Sequence, residues 1–104
     1  MIPAAPPLPP PPARVQVVAH EFDLSLSRRS LRQGRAIVEL VNFGEDGHDL
    51  RLQRDGGRKV WGTREVEPGG VAQIEGTLPA GRYRLWCSLP GHRERGMAAT
   101  LVVR

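Results

Sequence analysis

Cys87-Ser88-Leu89-Pro90-Gly91-His92-Arg93-Glu94-Arg95-Gly96-Met97 gathers the only cysteine of the chain, one of its three histidines and its only methionine besides Met1. The three stand five residues apart, in order, on what reads as one short loop. Thiolate, imidazole and thioether together form a soft ligand set, which suits a copper ion cycling between Cu(I) and Cu(II). A second imidazole is still needed. His48, in Asn42-Phe43-Gly44-Glu45-Asp46-Gly47-His48-Asp49, is the best donor. Two histidines and a cysteine in a trigonal site, with a weak axial methionine, make the blue-copper electron-transfer arrangement.

Each of these residues also has a plainer role to set against ligation. A free cysteine is frequently buried and inert. Met97 alone would be read as packing at the start of the last strand, and His48 as a solvent-facing loop residue. The equal spacing of Cys87, His92 and Met97 favours ligation over these alternatives. His20 precedes Glu21-Phe22 without a partner motif and is expected at the surface. Trp61 and Trp86 are expected to pack or to lie on an electron path. Tyr83, four residues before the cysteine, is expected to be a corner residue.

The donors need a scaffold, and the rest of the chain reads as β-structure. Val15, Val17 and Ala19, then Phe22, Leu24 and Leu26, alternate with mostly polar positions, as half-buried strands do. Arg28 to Gln33 reads as a polar turn. Ala36-Ile37-Val38-Glu39-Leu40-Val41 reads as a central strand, and Leu50 and Leu52 as a short one after His48. Residues 58–70 suggest irregular or edge structure, 71–74 and 82–87 further strands, and 98–103 the last. Seven or eight short strands separated by Gly/Pro turns, with no convincing helix, predict an all-β sandwich with Greek-key connections. Residues 1–13 hold seven of the ten prolines and favour an extended polyproline II tail or linker, leaving 14–104 as one domain. His48 precedes Cys87 by 39 residues, so it reaches the site only through tertiary structure. Closing so long a segment costs a few kcal/mol of entropy, which the β-core must carry. The metal-free fold is therefore expected to exist.

The chain resembles the cupredoxins, the small blue copper proteins. Asn42-x-Gly44-x3-His48-Asp49, Gly81-x-Tyr83-x3-Cys87 and Cys87-x4-His92-x4-Met97 carry the resemblance, which spans residues 14–104. The loop gaps look like those of the rusticyanin and auracyanin group. The resemblance implies a Greek-key β-sandwich holding one copper ion on His48, Cys87, His92 and Met97. It implies an electron carrier, not an enzyme, in an extracytoplasmic compartment. It implies that Asp49, where many relatives have Asn, ties the upstream loop to the backbone near Ser88, and that electrons enter through the exposed edge of His92. Copper handling (storage, delivery or resistance) is the alternative of a different class, and a domain of a larger oxidase is another. Related oxidases and nitrite reductases need additional histidine pairs, which three histidines cannot supply. The binuclear copper centre of oxidase subunits needs a second cysteine. Zinc could occupy the same donors by affinity alone.

Composition narrows the partners. The net charge is +4, and 14 of the 15 basic residues are arginine. Acidic residues are interleaved and only five aromatics are present, so nucleic acid is not expected. Arg93, Glu94 and Arg95 follow His92 directly, where relatives have an apolar patch; a partly cationic face there would favour an acidic redox partner. No segment reaches the ~20 apolar residues of a membrane helix. No signal peptide is visible, which is expected if one has been removed or if the domain belongs to a longer chain. Direct membrane insertion is not expected and a monomer is; the proline-rich segment reads as a disordered tail, with a tether as its functional alternative.

Overall fold

The computed structural model describes residues 2–104; Met1, the first residue of the proline-rich stretch, lies outside the described residues. The described residues form nine strands: β1 (Ala13–His20), β2 (Asp23–Leu26), β3 (Ser30–Leu31), β4 (Gly34–Asn42), β5 (Arg51–Arg54), β6 (Val60–Gly62), β7 (Val71–Leu78), β8 (Gly81–Trp86) and β9 (Ala98–Val103). No helix occurs among the described residues. One sheet has the order β2-β1-β4-β7 and the other β3-β9-β8-β5-β6. The count exceeds seven or eight because of two very short strands, one of them unexpected. Ser30–Leu31, inside the polar turn, pairs with Val102 and Val103. Val60–Gly62, in the stretch read as irregular or edge, pairs with β5 and is the edge of its sheet.

The period-two pattern follows from the pleat, which sends successive side chains to opposite faces. Val15, Val17 and Ala19 on β1 are buried against Val38 and Leu40 on β4, with Tyr83, Leu85, Leu101 and Val103 facing them from the other sheet. β4 is the central strand expected from its β-branched run: it pairs with parallel β1 and antiparallel β7. β8 lies between β9 and β5, so a late hairpin clasps a strand from mid-chain, in the over-and-back manner of a Greek key. Residues 2–12 carry no strand, and the Arg32 guanidinium donates to the Pro11 carbonyl at 2.8 Å.

Tyr83 is the corner residue. It is fully buried, and its hydroxyl donates to the Pro79 carbonyl four residues back at 2.7 Å. Burial pushes its phenol above the usual 10.0, against the opposing pull of Arg54. The fold thus favours the neutral phenol. Its contribution is complete below the unfolded value and is lost as pH rises through the raised folded value. Tyr83→Phe is expected to cost about 1 kcal/mol at neutral pH, the net worth of one buried hydrogen bond. It should also flatten the alkaline loss of stability. Urea melts at neutral pH and on the alkaline side of 10 check both; an unchanged midpoint at neutral pH contradicts the corner role.

Candidate metal centre

Strand register brings the donors to one pole of the sandwich. β8 pairs with β9 as far as Trp86 opposite Ala98, and the ladder continues one step. The Cys87 N–H donates to the Met97 carbonyl at 3.1 Å, which closes the base of the loop. Inside it, the His92 N–H donates to the Leu89 carbonyl and the Met97 N–H to the His92 carbonyl. Gly91 (φ 76°) and Gly96 (φ 124°) take left-handed conformations that turn the chain. A side chain at residue 96 would also meet the Phe22 carbonyl at 2.8 Å.

The upstream loop hangs from the end of β4. Asn42 is fully buried, and all its polar groups are used. Its Nδ2 donates to the Asp46 and Val66 carbonyls at 2.8 and 2.9 Å, and its Oδ1 accepts from the Gly44 N–H at 2.8 Å. His48 exchanges both backbone hydrogen bonds with Val66, a single bridge that fixes its position. Its ring is fully buried.

Donor atoms of His48, Cys87 and His92 come together. Cys87 Sγ lies 3.9 Å from His48 Nδ1 and 3.6 Å from His92 Nδ1, and the two Nδ1 atoms are 3.2 Å apart. All three donor atoms fall within 4.8 Å of one another. Met97 is buried, and its carbonyl accepts from the Cys87 N–H at the loop base. His20 stays outside: its ring is half exposed and lies 3.7 Å from Asp23.

The cluster's chemistry fits a soft cation. His48 Nε2 faces the Glu21 carboxylate at 2.9 Å, so Nε2 carries a hydrogen and Nδ1 is the nitrogen left to ligate. That nitrogen faces His92 Nδ1 and the sulfur. Burial pushes the Cys87 thiol above its usual 9.0, with the backbone N–H groups of Asp49 and Leu89 pulling the other way. A cation among these atoms would favour the thiolate and the bare form of both Nδ1 atoms.

Asp49 joins the two loops as the resemblance implied. The antiparallel register that sets Arg51 opposite Trp86 carries Asp49 opposite Ser88. Its carboxylate accepts from the Ser88 N–H at 2.7 Å and from the Ser88 hydroxyl. The Asp49 charge does not stand alone, because the Arg51 guanidinium lies 3.2 Å from its Oδ2. Glu45 and Asp46 are exposed; they contribute their backbone N–H groups, not their side chains.

Sequence reasoning missed Glu21, in the turn between β1 and β2. Its carboxylate accepts from the N–H groups of Asp46 and Glu45 as well as from His48, and these bonds hold it well below the carboxylate range, at about 2. No local motif marks it, 27 residues before His48. Phe22, its neighbour, packs against the half-buried His92 ring, centroids 5.2 Å apart at 71°. The Arg95 guanidinium lies over Phe22, 4.9 Å from the ring centroid, and that of Arg93 over Trp86 at 4.7 Å.

No protein-family model matches the sequence, and no curated protein is significantly similar to it. Solved structures match the whole sandwich. Dithionite-reduced auracyanin from Roseiflexus castenholzii superposes with a TM-score of 0.71 at 18% identity, over 88% of this chain and 96% of its own. Auracyanin A, a "blue" copper protein from Chloroflexus aurantiacus, gives 0.70 at 15% identity, over 90% and 100%. A multicopper oxidase gives 0.62 at 17% identity, over 88% of this chain and 41% of the oxidase. The chain has the cupredoxin fold.

Proposed function

We propose that the protein is a mononuclear type 1 copper protein that carries single electrons between redox partners, with His48, Cys87, His92 and Met97 as ligands. The convergence of two imidazole Nδ1 atoms and one buried sulfur at the pole of a closed sandwich carries this reading. Bound copper would supply one-electron exchange between Cu(I) and Cu(II). The chain's own residues do the rest. Asn42 and the Val66 bridge hold the upstream loop, and Asp49 ties it to Ser88. Buried Tyr83, Leu85 and Leu101 keep water from the sulfur side. Because β-strand hydrogen bonds and not the metal close the loops, little movement accompanies a change of charge.

The half-buried His92, beside Leu89, Pro90 and Gly91, is the proposed electron gate. Exposed Arg93 and Arg95 favour an acidic partner at that face. Residues 1–13 act as a linker or tether to the domain at 14–104, which works as a monomer outside the cytoplasm. No helix among the described residues is long and apolar enough to cross a membrane. The oxidase likeness favours a second reading, in which this sandwich is one domain of a larger copper enzyme.

Adding one equivalent of Cu(II) to the purified protein tests the reading. Intense thiolate-to-copper absorption in the visible, the EPR signal of a type 1 site and reversible bleaching by a reductant are expected. A colourless one-to-one complex rules it out. Tight retention of copper on dialysis separates a carrier from a delivery protein.

A further inference from the structure

We propose that Glu21 is a positioning residue for the metal site: its carboxylate sets the tautomer of His48 and leaves an unneutralised negative charge against this buried ring. The redox part of this inference rests on the copper reading; the tautomer part stands on the protein alone.

The parallel pairing of β1 with β4 sets Ala19 beside Asn42, and the Phe43 N–H donates to the Ala19 carbonyl at 3.0 Å. The turn after β1 is thereby laid along the loop after β4. Glu21 Oε1 then receives three donors: the N–H of Asp46 at 2.7 Å, the N–H of Glu45 at 2.9 Å and His48 Nε2 at 2.9 Å. Oε2 shares only the Glu45 N–H, at 3.0 Å. Two of the three donors are backbone amides, whose direction is not in question. Oε1 is therefore an acceptor, and His48 Nε2 must bring the hydrogen. The approach needs glycine at residue 44, where a Cβ would stand 2.5 Å from Oε1.

The contrast with Asp49 gives Glu21 its electrostatic weight. Asp49 has Arg51 within ion-pair distance, whereas His48 is the only basic side chain so close to Glu21 among the described residues. A carboxylate behind a ligating imidazole raises the ligand's basicity and orients its ring. An uncompensated anion there favours Cu(II) over Cu(I).

Two variants separate the parts. Glu21→Gln keeps an oxygen at Oε1, where all three donors converge, but removes the charge. Glu21→Ala removes the acceptor. In metal-free protein, the ¹⁵N shifts of the His48 ring are expected to report a single Nε2–H tautomer in the wild type and in Glu21→Gln, and a mixture in Glu21→Ala. With copper, Glu21→Gln is expected to weaken Cu(II) binding roughly tenfold relative to Cu(I), the lower end for loss of an outer partner. Tenfold corresponds to a rise in potential of about 59 mV. An unmoved potential in Glu21→Gln, or an unchanged tautomer in Glu21→Ala, overturns the proposal. If Glu21→Ala does not fold, wild-type His48 with its hydrogen on Nδ1 overturns it equally. A wild type that takes up no copper defeats the carrier reading alone, because the metal-free shifts decide the role of Glu21 without it.

Discussion

Cys87→Ser is expected to abolish the visible colour of the copper-loaded protein and to weaken Cu(II) binding by more than the roughly 100-fold that loss of an outer partner can cost. The colour of a type 1 site belongs to the sulfur, and a hydroxyl is a harder and far less acidic donor. The substitution is nearly isosteric. The N–H of residue 87 still donates to the Met97 carbonyl, so the loop base survives. The residue is wholly buried, and a hydroxyl there without a full partner costs about 1–3 kcal/mol in the metal-free protein. Thermal melts of metal-free wild type and variant measure that cost. Absorption and EPR after copper addition measure the loss of the site. A blue Cys87→Ser protein would place the copper elsewhere and end the assignment of the loop.

Asn42→Asp is expected to destabilise the metal-free protein by about 3–5 kcal/mol, the scale for an uncompensated buried charge. Asn42 Nδ2 points at two carbonyl oxygens, those of Asp46 and Val66. A carboxylate would aim an anionic oxygen at both, inside a region with no exposed surface at that residue. Asn42→Ala loses three hydrogen bonds without adding a charge, and about 3 kcal/mol is the upper expectation. Against a typical total of about 5–15 kcal/mol, either loss is large. The damage is also local, since the Val66 carbonyl that Asn42 holds is the one that accepts the His48 N–H. Urea denaturation of the three proteins gives the order wild type, Ala, Asp. An Asp variant within about 0.5 kcal/mol of wild type, the scatter of neutral surface changes, would show that the loop does not depend on this hub.

Much of the site was readable because its chemistry is local. Cys87, His92 and Met97 share one loop, so their spacing alone limits how far apart they can lie. His48 was readable for a weaker reason: it sits in a glycine-containing loop after the strongest strand. Tyr83 was legible as a corner because its hydroxyl acts only four residues from itself. Strand bounds were less legible. β3 and β6 have too few residues to show a period, and they exist because a neighbouring strand offers free hydrogen-bonding groups. Glu21 and Arg51 could not be found at all. Their effects depend on which strands lie side by side, and a glutamate one residue from His20 looks like any solvated charge.

The amino-acid order by itself determined the donor types, the soft character of the set and the alternation that makes a two-sheet core. Those properties are carried by side-chain chemistry and by the pleat, and neither needs a distant partner. Tertiary structure decided which carboxylate is neutralised, which nitrogen of His48 is bare, and that three donors from two distant loops share one space. Those outcomes follow from register: parallel β1–β4 pairing brings the turn at Glu21 to the His48 loop, and antiparallel β5–β8 pairing brings Asp49 to Ser88.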